Sequence, residues 1–216
     1  MTKIAFLHTG AVVIAPVMDL ARELLPGVTP INYLDDRIVA DLRDPEVADS
    51  VPGRVANLVE SAKAAGADAV MLTCSSISQL AAPVAERVGI DVLRIDEAMA
   101  DEAVAAGDRI AVVATLPTTC APTVALIRER ASLAGTDPQV EAEVVDGAFE
   151  AVANGDRETH DALVVAAIER VASTADVVVL AQASMASAAE KASVEVPVLT
   201  SLRPGITRLA ERLAQV

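Results

Sequence analysis

Aromatic side chains make up only 1% of this chain of 216 residues, and tryptophan is missing altogether. A surface that stacks nucleic-acid bases or sugar rings is therefore not expected. The formal net charge of −14 also argues against nucleic acid and anionic membranes as partners, because both attract cationic proteins. A small anionic substrate remains compatible with this charge, since a few nearby N–H groups outweigh a distant field.

Long hydrophobic runs are lacking too. None reaches the roughly 18 residues of a membrane-spanning helix, and the chain starts directly with a strand pattern rather than a secretion signal, which favours a cytoplasmic protein. Two cysteines do not make a disulfide framework. Because CxxC, HExxH, Walker and GxGxxG motifs are absent, the sequence predicts neither a metal site nor a nucleotide cofactor.

Hydrophobic residues, in contrast, make up 53% of the chain, and in one stretch they lead into residues with reactive or polar side chains. The run Ala69–Leu72 carries no charge and leads through Thr73 to Cys74, Ser75 and Ser76. This pattern predicts a buried parallel strand that breaks into a helix start, where open α/β sheets bind ligands. A helix start favours anions and lowers the pKa of a nearby thiol, which would make Cys74 a reactive thiol. The alternative is that Cys74 is a small buried core residue, as free cysteines often are.

Eight short apolar strands alternate with eight helices, which predicts an α/β fold with parallel sheets and helices on both faces. The polar stretch 37–53, with two prolines, is interpreted as a lid-like connection before a helix at 55–65. A later helix beginning at His160 is interpreted as exposing that histidine on the surface.

The pattern repeats from Arg109. The run 109–115 matches 3–9 at an offset of 106, and 176–184 matches 68–76 at an offset of 108. The repeat predicts two pseudo-symmetric halves of four strands each, 1–97 with 204–216 and 98–203. It also predicts a shared cleft in which one half offers Cys74 and the other offers Gln182.

The motifs Leu72–Ile77, 114–119 and 180–185 resemble the aspartate/glutamate racemase superfamily, which includes maleate isomerase and arylmalonate decarboxylase. In these racemases two cysteines, one per half, face each other across the substrate without metal or coenzyme. The resemblance implies that Cys74 matches the first cysteine, whereas Gln182 stands where the second is expected. Arylmalonate decarboxylase also keeps one cysteine, but on the opposite half.

The resemblance further implies that N–H groups and hydroxyls after the strands bind substrate carboxylates. The matching positions are Thr9, Ser75, Ser76, Thr118, Thr119 and Ser184. Each of these hydroxyls is equally well interpreted as an ordinary helix cap. His8 is a candidate proton relay or a pocket-shaping residue, and Asp35 either orients a substrate or caps a turn.

The sequence therefore predicts a cofactor-independent enzyme of the racemase family that acts on a small carboxylate or carbonyl acid through one cleft cysteine. A decarboxylase, a carbon–carbon lyase or a covalent-cysteine isomerase of the same family is the alternative chemistry. Because Gln182 cannot ionise, an inactive small-molecule binding protein is the alternative of another class. The sequence leaves open whether the protein forms a homo-oligomer.

Overall fold

The computed structural model describes residues 2–215 and divides them into two compact units. The first unit holds the residues up to Ile95 together with those from Leu202 onward, and the second is Asp96–Ser201. These bounds lie two residues from the ones that the sequence repeat predicted. No helix among residues 2–215 is both long and apolar enough to span a bilayer.

Each unit is built on a four-stranded parallel sheet, and the predicted α/β fold class is thereby confirmed. The first sheet has the order β2-β1-β3-β4, with β1 (Lys3–His8), β2 (Thr29–Leu34), β3 (Ala69–Leu72) and β4 (Asp91–Arg94). The second has the order β6-β5-β7-β8, with β5 (Arg109–Ala114), β6 (Gln139–Val144), β7 (Val177–Leu180) and β8 (Val198–Leu199). The two sheets thus share one strand order.

Helices follow the strands along the chain. The first unit contains α1 (Ile14–Leu24), α2 (Ile38–Asp41), α3 (Val51–Ala64), α4 (Ala81–Val88) and α10 (Leu202–Ala214). The second contains α5 (Glu97–Ala106), α6 (Pro117–Ala134), α7 (Ala148–Ala153), α8 (Arg157–Ala172) and α9 (Ala186–Ala189). Short 3-10 turns, Ser75–Leu80 and Ala183–Met185, begin three residues after the ends of β3 and β7.

Alternation along the strands sends side chains to both faces of each sheet. In β5, Ile110 and Val112 pack in a cluster with residues of α5 and α6, whereas Ala111 and Val113 pack in a cluster with residues of α8. In the first unit, Leu7 packs in a cluster that includes residues of α3 and α4. Strands covered on both faces read as continuous apolar runs, which is why the sequence marked them clearly.

The interpretation of 37–53 as a lid-like connection was wrong. Residues 38–41 form α2, and α3 begins at Val51, four residues before the predicted start. Pro52 stands in the first turn of α3, where a helix does not need the missing N–H. The proline that looked like a loop residue is therefore part of a helix start.

The helix α10 closes the first unit through a glycine. Gly205 lies so near the first unit's own Ile95 that an added Cβ would stand 2.2 Å from the Ile95 backbone oxygen. Backbone cannot move aside as a flexible side chain can. The neighbouring Ile206 and Leu209 are buried, and α10 packs against α1.

We expect Gly205→Ala to lower the stability of the first unit by about 2 kcal/mol, because the methyl group must push α10 away from Ile95. Gly53→Ala is the matched control, since a Cβ there meets nothing within 4 Å and α3 gains about 0.5 kcal/mol of helix propensity. Urea unfolding followed by circular dichroism measures both. Equal effects of the two substitutions would contradict the close packing at Gly205.

Candidate active site

Cys74, the candidate reactive thiol, lies two residues beyond the end of β3, at the start of a 3-10 turn. Its backbone is extended, with φ −136° and ψ 126°, and its carbonyl accepts a hydrogen bond from the Ile77 N–H at 3.2 Å. Its side chain is half-buried, and it is not in a disulfide. The thiol therefore lies where a buried strand opens into polar residues.

Hydroxyl side chains surround this turn. Ser75 and Ser76 are buried at 5% and 1% exposure, and Thr9, at the end of the neighbouring strand β1, is 7% exposed. The Ser76 hydroxyl oxygen has no hydrogen-bond partner among residues 2–215. A buried polar atom without a partner is costly, so Ser76 is the hydroxyl here that best fits a ligand contact.

The structure buries His8 completely. Its Nδ1 lies 2.8 Å from the Thr73 hydroxyl oxygen, and its Nε2 lies 2.8 Å from the Asn32 side-chain oxygen. Burial lowers the His8 pKa, and the hydrogen bond with Asn32 only partly opposes this effect. Because both ring nitrogens already have protein partners, the contacts fit a structural histidine better than a proton relay.

Asp35 follows β2 and is bound by an arginine. The Arg54 guanidinium contacts both of its carboxylate oxygens, with Nη2 at 2.5 Å from Oδ2 and 2.6 Å from Oδ1. Arg54 also pairs with Asp41, whose pKa is lowered chiefly by that hydrogen bond. These contacts join α2 and α3 to the residue that follows β2, and they give the Asp35 carboxylate a cationic partner within the protein.

In the second unit, Gln182 occupies the turn after β7. Its backbone, with φ −136° and ψ 140°, is nearly that of Cys74 in the first unit. Its side-chain oxygen accepts a hydrogen bond from the Thr115 N–H at 2.6 Å, and its side-chain nitrogen donates to the Thr115 hydroxyl at 2.6 Å. Thr115 directly follows the neighbouring strand β5, so the amide joins the turns after two strands of one sheet.

The three hydroxyl residues predicted for the site in the second unit differ in their contacts. Thr119 donates its hydroxyl to the Leu116 carbonyl at 2.9 Å and thereby stabilises the first turn of α6. The Thr118 hydroxyl is buried and, like the Ser76 hydroxyl, has no partner among residues 2–215. Ser184 accepts a hydrogen bond from Arg157 through its backbone carbonyl, at 2.8 Å.

Sequence reasoning missed a buried carboxylate behind the turn that follows Gln182. Asp161 of α8 is 2% exposed and accepts hydrogen bonds from Ser187 at 2.9 Å, Lys191 at 2.6 Å and His160 at 2.9 Å. Burial opposes its ionisation, yet these donors outweigh burial and lower its pKa to about 2. His160, expected on the surface, is fully buried in this cluster.

A groove of about 460 Å³ in the second unit lies away from these residues. It opens near the amino end of β5, beside Arg109 and Arg170. Asp176 pairs with Arg109, and Glu143 pairs with Arg170, so each cation beside the groove has a carboxylate partner. Among residues 2–215, no three His, Cys, Asp or Glu side chains are grouped as metal ligands.

Two four-stranded parallel sheets of the same strand order, each with polar turns at its strand ends, define a duplicated α/β protein. The chain belongs to the Asp/Glu/Hydantoin racemase family, whose sequence model matches residues 9–209. No curated protein sequence matches the chain significantly.

Solved structures of racemases and of a decarboxylase share the fold. A glutamate racemase isoform from Bacillus anthracis is 18% identical, over 99% of this chain and 82% of that one, with a TM-score of 0.76. An allantoin racemase from Klebsiella pneumoniae is 18% identical, over 100% and 88%, with a TM-score of 0.71. A mutant arylmalonate decarboxylase is 19% identical, over 99% and 93%, with a TM-score of 0.59.

We expect iodoacetamide to alkylate Cys74 at least about tenfold faster than Cys120 at neutral pH. Cys120 is buried on α6, and burial raises its pKa, so that it holds less thiolate. Peptide mass mapping of the folded protein over time gives the two rates. Faster labelling of Cys120 would reverse the assignment, and equal rates in urea confirm that the fold causes the difference.

Asp161→Asn is expected to destabilise the second unit by about 3 kcal/mol at pH 7, because it removes the buried charge that Lys191 and His160 face. The carboxylate's pKa is about 2 in the fold against 3.8 ordinarily, so its contribution is present above pH 3.8 and is lost as pH falls through 2. Thermal unfolding between pH 2 and 7 should show the difference from wild type shrinking with acid. Asp156→Asn is the control, since Asn caps α8 equally well.

Proposed function

We propose that this protein is a cofactor-independent enzyme that moves a proton at the carbon beside the carboxylate or carbonyl group of a small acid, with the Cys74 thiol as its acid–base group. One observation carries the proposal. A half-buried thiol lies beyond a fully buried strand, two residues before the unpartnered Ser76 hydroxyl. Membership of the racemase family supports the same reaction type.

The chemistry needs a base for the carbon-bound proton and donors for the oxygen that becomes negative. Removing that proton turns the acid into an enolate, whose charge lies on the carbonyl oxygen. The Ser76 hydroxyl is a donor without a protein partner, and backbone N–H groups at the start of the 3-10 turn add to it. The thiolate of Cys74 takes the proton, and the thiol returns it.

A second acid–base group is missing from the positions that the family resemblance points to. Gln182 carries an amide, which donates and accepts hydrogen bonds but does not ionise. Both ring nitrogens of His8 are engaged with Thr73 and Asn32. Proton exchange on one face of the substrate is therefore better supported than two-base racemisation.

This single thiol favours decarboxylation as the second candidate function. In that reaction the bond between the α-carbon and a carboxylate breaks, carbon dioxide leaves, and the electron pair forms an enolate. The Cys74 thiol protonates the enolate carbon, and water then restores the thiol. The similar fold of arylmalonate decarboxylase is consistent with this reaction.

Proton NMR in deuterium oxide tests the proposal. Small amino, hydroxy and aryl acids are incubated with the protein, and the loss of their α-proton signal is followed. Malonates are incubated in parallel, and the release of carbon dioxide from them is followed. We expect Cys74→Ser to reduce the rate by about 10² to 10⁴, because it removes the acid–base group.

Cys120→Ser is the matched control and should leave the rate unchanged, because Cys120 packs in the core of the second unit. A reaction that survives Cys74→Ser at full rate would refute the role of this thiol. Tight binding of an acid without any exchange or release of carbon dioxide would instead identify a binding protein.

A further inference from the structure

The groove of the second unit lies between its edge strand β6 and the carboxyl end of α8. Its lining includes two buried apolar residues, Ala111 of β5 and Ala175 after α8. The polar side chains of Gln139, Glu141 and Glu143 line it along β6. A volume of about 460 Å³ is within the range of cavities that bind small molecules.

The matching face of the first sheet is covered by apolar side chains. In β2, Ile31 pairs in register with Ala5 of β1, and Tyr33 pairs with Leu7. Both Ile31 and Tyr33 pack against the cluster that includes residues of α3. The edge strand of the first unit therefore closes this face against its helix, as is usual for a parallel sheet.

The second sheet has carboxylates at the two matching positions. Its register pairs Glu141 with Ala111, which matches Ala5 in the repeat, and it pairs Glu143 with Val113. The Glu141 side chain is exposed, and α8 packs on β5 and β7. Because these carboxylates replace an isoleucine and a tyrosine, the sheet face beside α8 is open where its duplicate is covered.

One negative charge in the groove has no counterpart in the protein. Arg109 pairs with Asp176, with Nη2 at 2.6 Å from Oδ1, and Arg170 pairs with Glu143. Within residues 2–215, the Glu141 carboxylate makes neither an ion pair nor a hydrogen bond. Since both arginines are neutralised by their own carboxylates, the charge of Glu141 is left over.

We propose that this groove is a binding site for a small aliphatic amine, whose ammonium group contacts Glu141 and whose methylene groups lie on Ala111 and Ala175. An ammonium has three donors and a carboxylate only acceptors, so the two groups are complementary in charge and in hydrogen bonding. The Gln139 carboxamide offers a further acceptor beside them. The net charge of −14 also attracts cations to the protein.

This site is separate from the candidate active site. All of its lining residues belong to the second unit, and Gln182 is not among them. Neither Cys74 nor Ser76 takes part in binding the amine. The inference therefore goes beyond the proposed function, and a protein without any enzymatic activity would still bind the cation.

Nitrogen-15 NMR tests the proposal, with pentylamine as the probe and pentanol as its uncharged analogue. In wild type, pentylamine should shift the backbone amide signals of Ala111 and Ala142 in a saturable way. Glu141→Gln keeps the shape of the side chain and removes its charge. We expect it to weaken pentylamine binding by about fivefold and to leave pentanol binding unchanged, because only the amine is charged.

Glu102→Gln is the matched control. It removes the same charge from an exposed position on α5, which packs on the opposite face of the second sheet. This variant should bind both probes as wild type does. An equal loss of pentylamine binding in the two variants would show a general charge effect and overturn the site, as would an absence of amide shifts at Ala111.

Glu141→Ile provides a second measurement, because it places the residue of the first unit at the matching position of the second. The variant should keep its circular dichroism spectrum and should no longer bind pentylamine more tightly than pentanol. A folded variant that still prefers pentylamine would refute the role of Glu141.

A lysine side chain of another protein is the other source of this ligand chemistry. Nα-acetyl-lysine methylamide carries the same ammonium group on a peptide unit. Equal or weaker binding of this probe than of pentylamine supports a free amine as the ligand. Tighter binding would overturn that assignment and identify the groove as a contact for a polypeptide.

Discussion

The structure depends on the complete covering of its central strands. Apolar residues of β1, β3, β5 and β7 are almost all below 3% exposure, with helices packed on the sheet faces. A strand buried in this way has no place for a polar side chain along its length. Polar side chains are therefore confined to the ends of these strands, and the candidate site residues of each unit lie there.

The same constraint explains which parts of the structure could be predicted from sequence. Uncharged runs such as Ala69–Leu72 and Val177–Leu180 can be recognised as strands from the sequence alone, because every residue in them is buried and apolar. The repeated offsets between the halves then place Cys74 and Gln182 at equivalent turns. Fold class and strand-end residues follow from these local signals.

Contacts between side chains far apart in the chain left no such signal. Arg54 binds Asp35 across 19 residues, and Lys191 binds Asp161 across 30, so the roles of these carboxylates depend on helix packing. His160 looked like a surface residue because its neighbours in sequence are polar, yet Asp161 beside it lets the fold bury both. The pairing of Gln182 with Thr115, across 67 residues, becomes predictable only once β5 and β7 are known to be neighbours.

The position of α10 in the first unit has a consequence for the order in which the protein assembles. The second unit is one continuous segment, Asp96–Ser201, whereas the first closes only when Gly205 reaches Ile95. During synthesis every strand and helix of the second unit leaves the ribosome before α10 does. The half that is made first is thus the last to be completed, and until then the surface of α1 that α10 covers stays open to solvent and to chaperones.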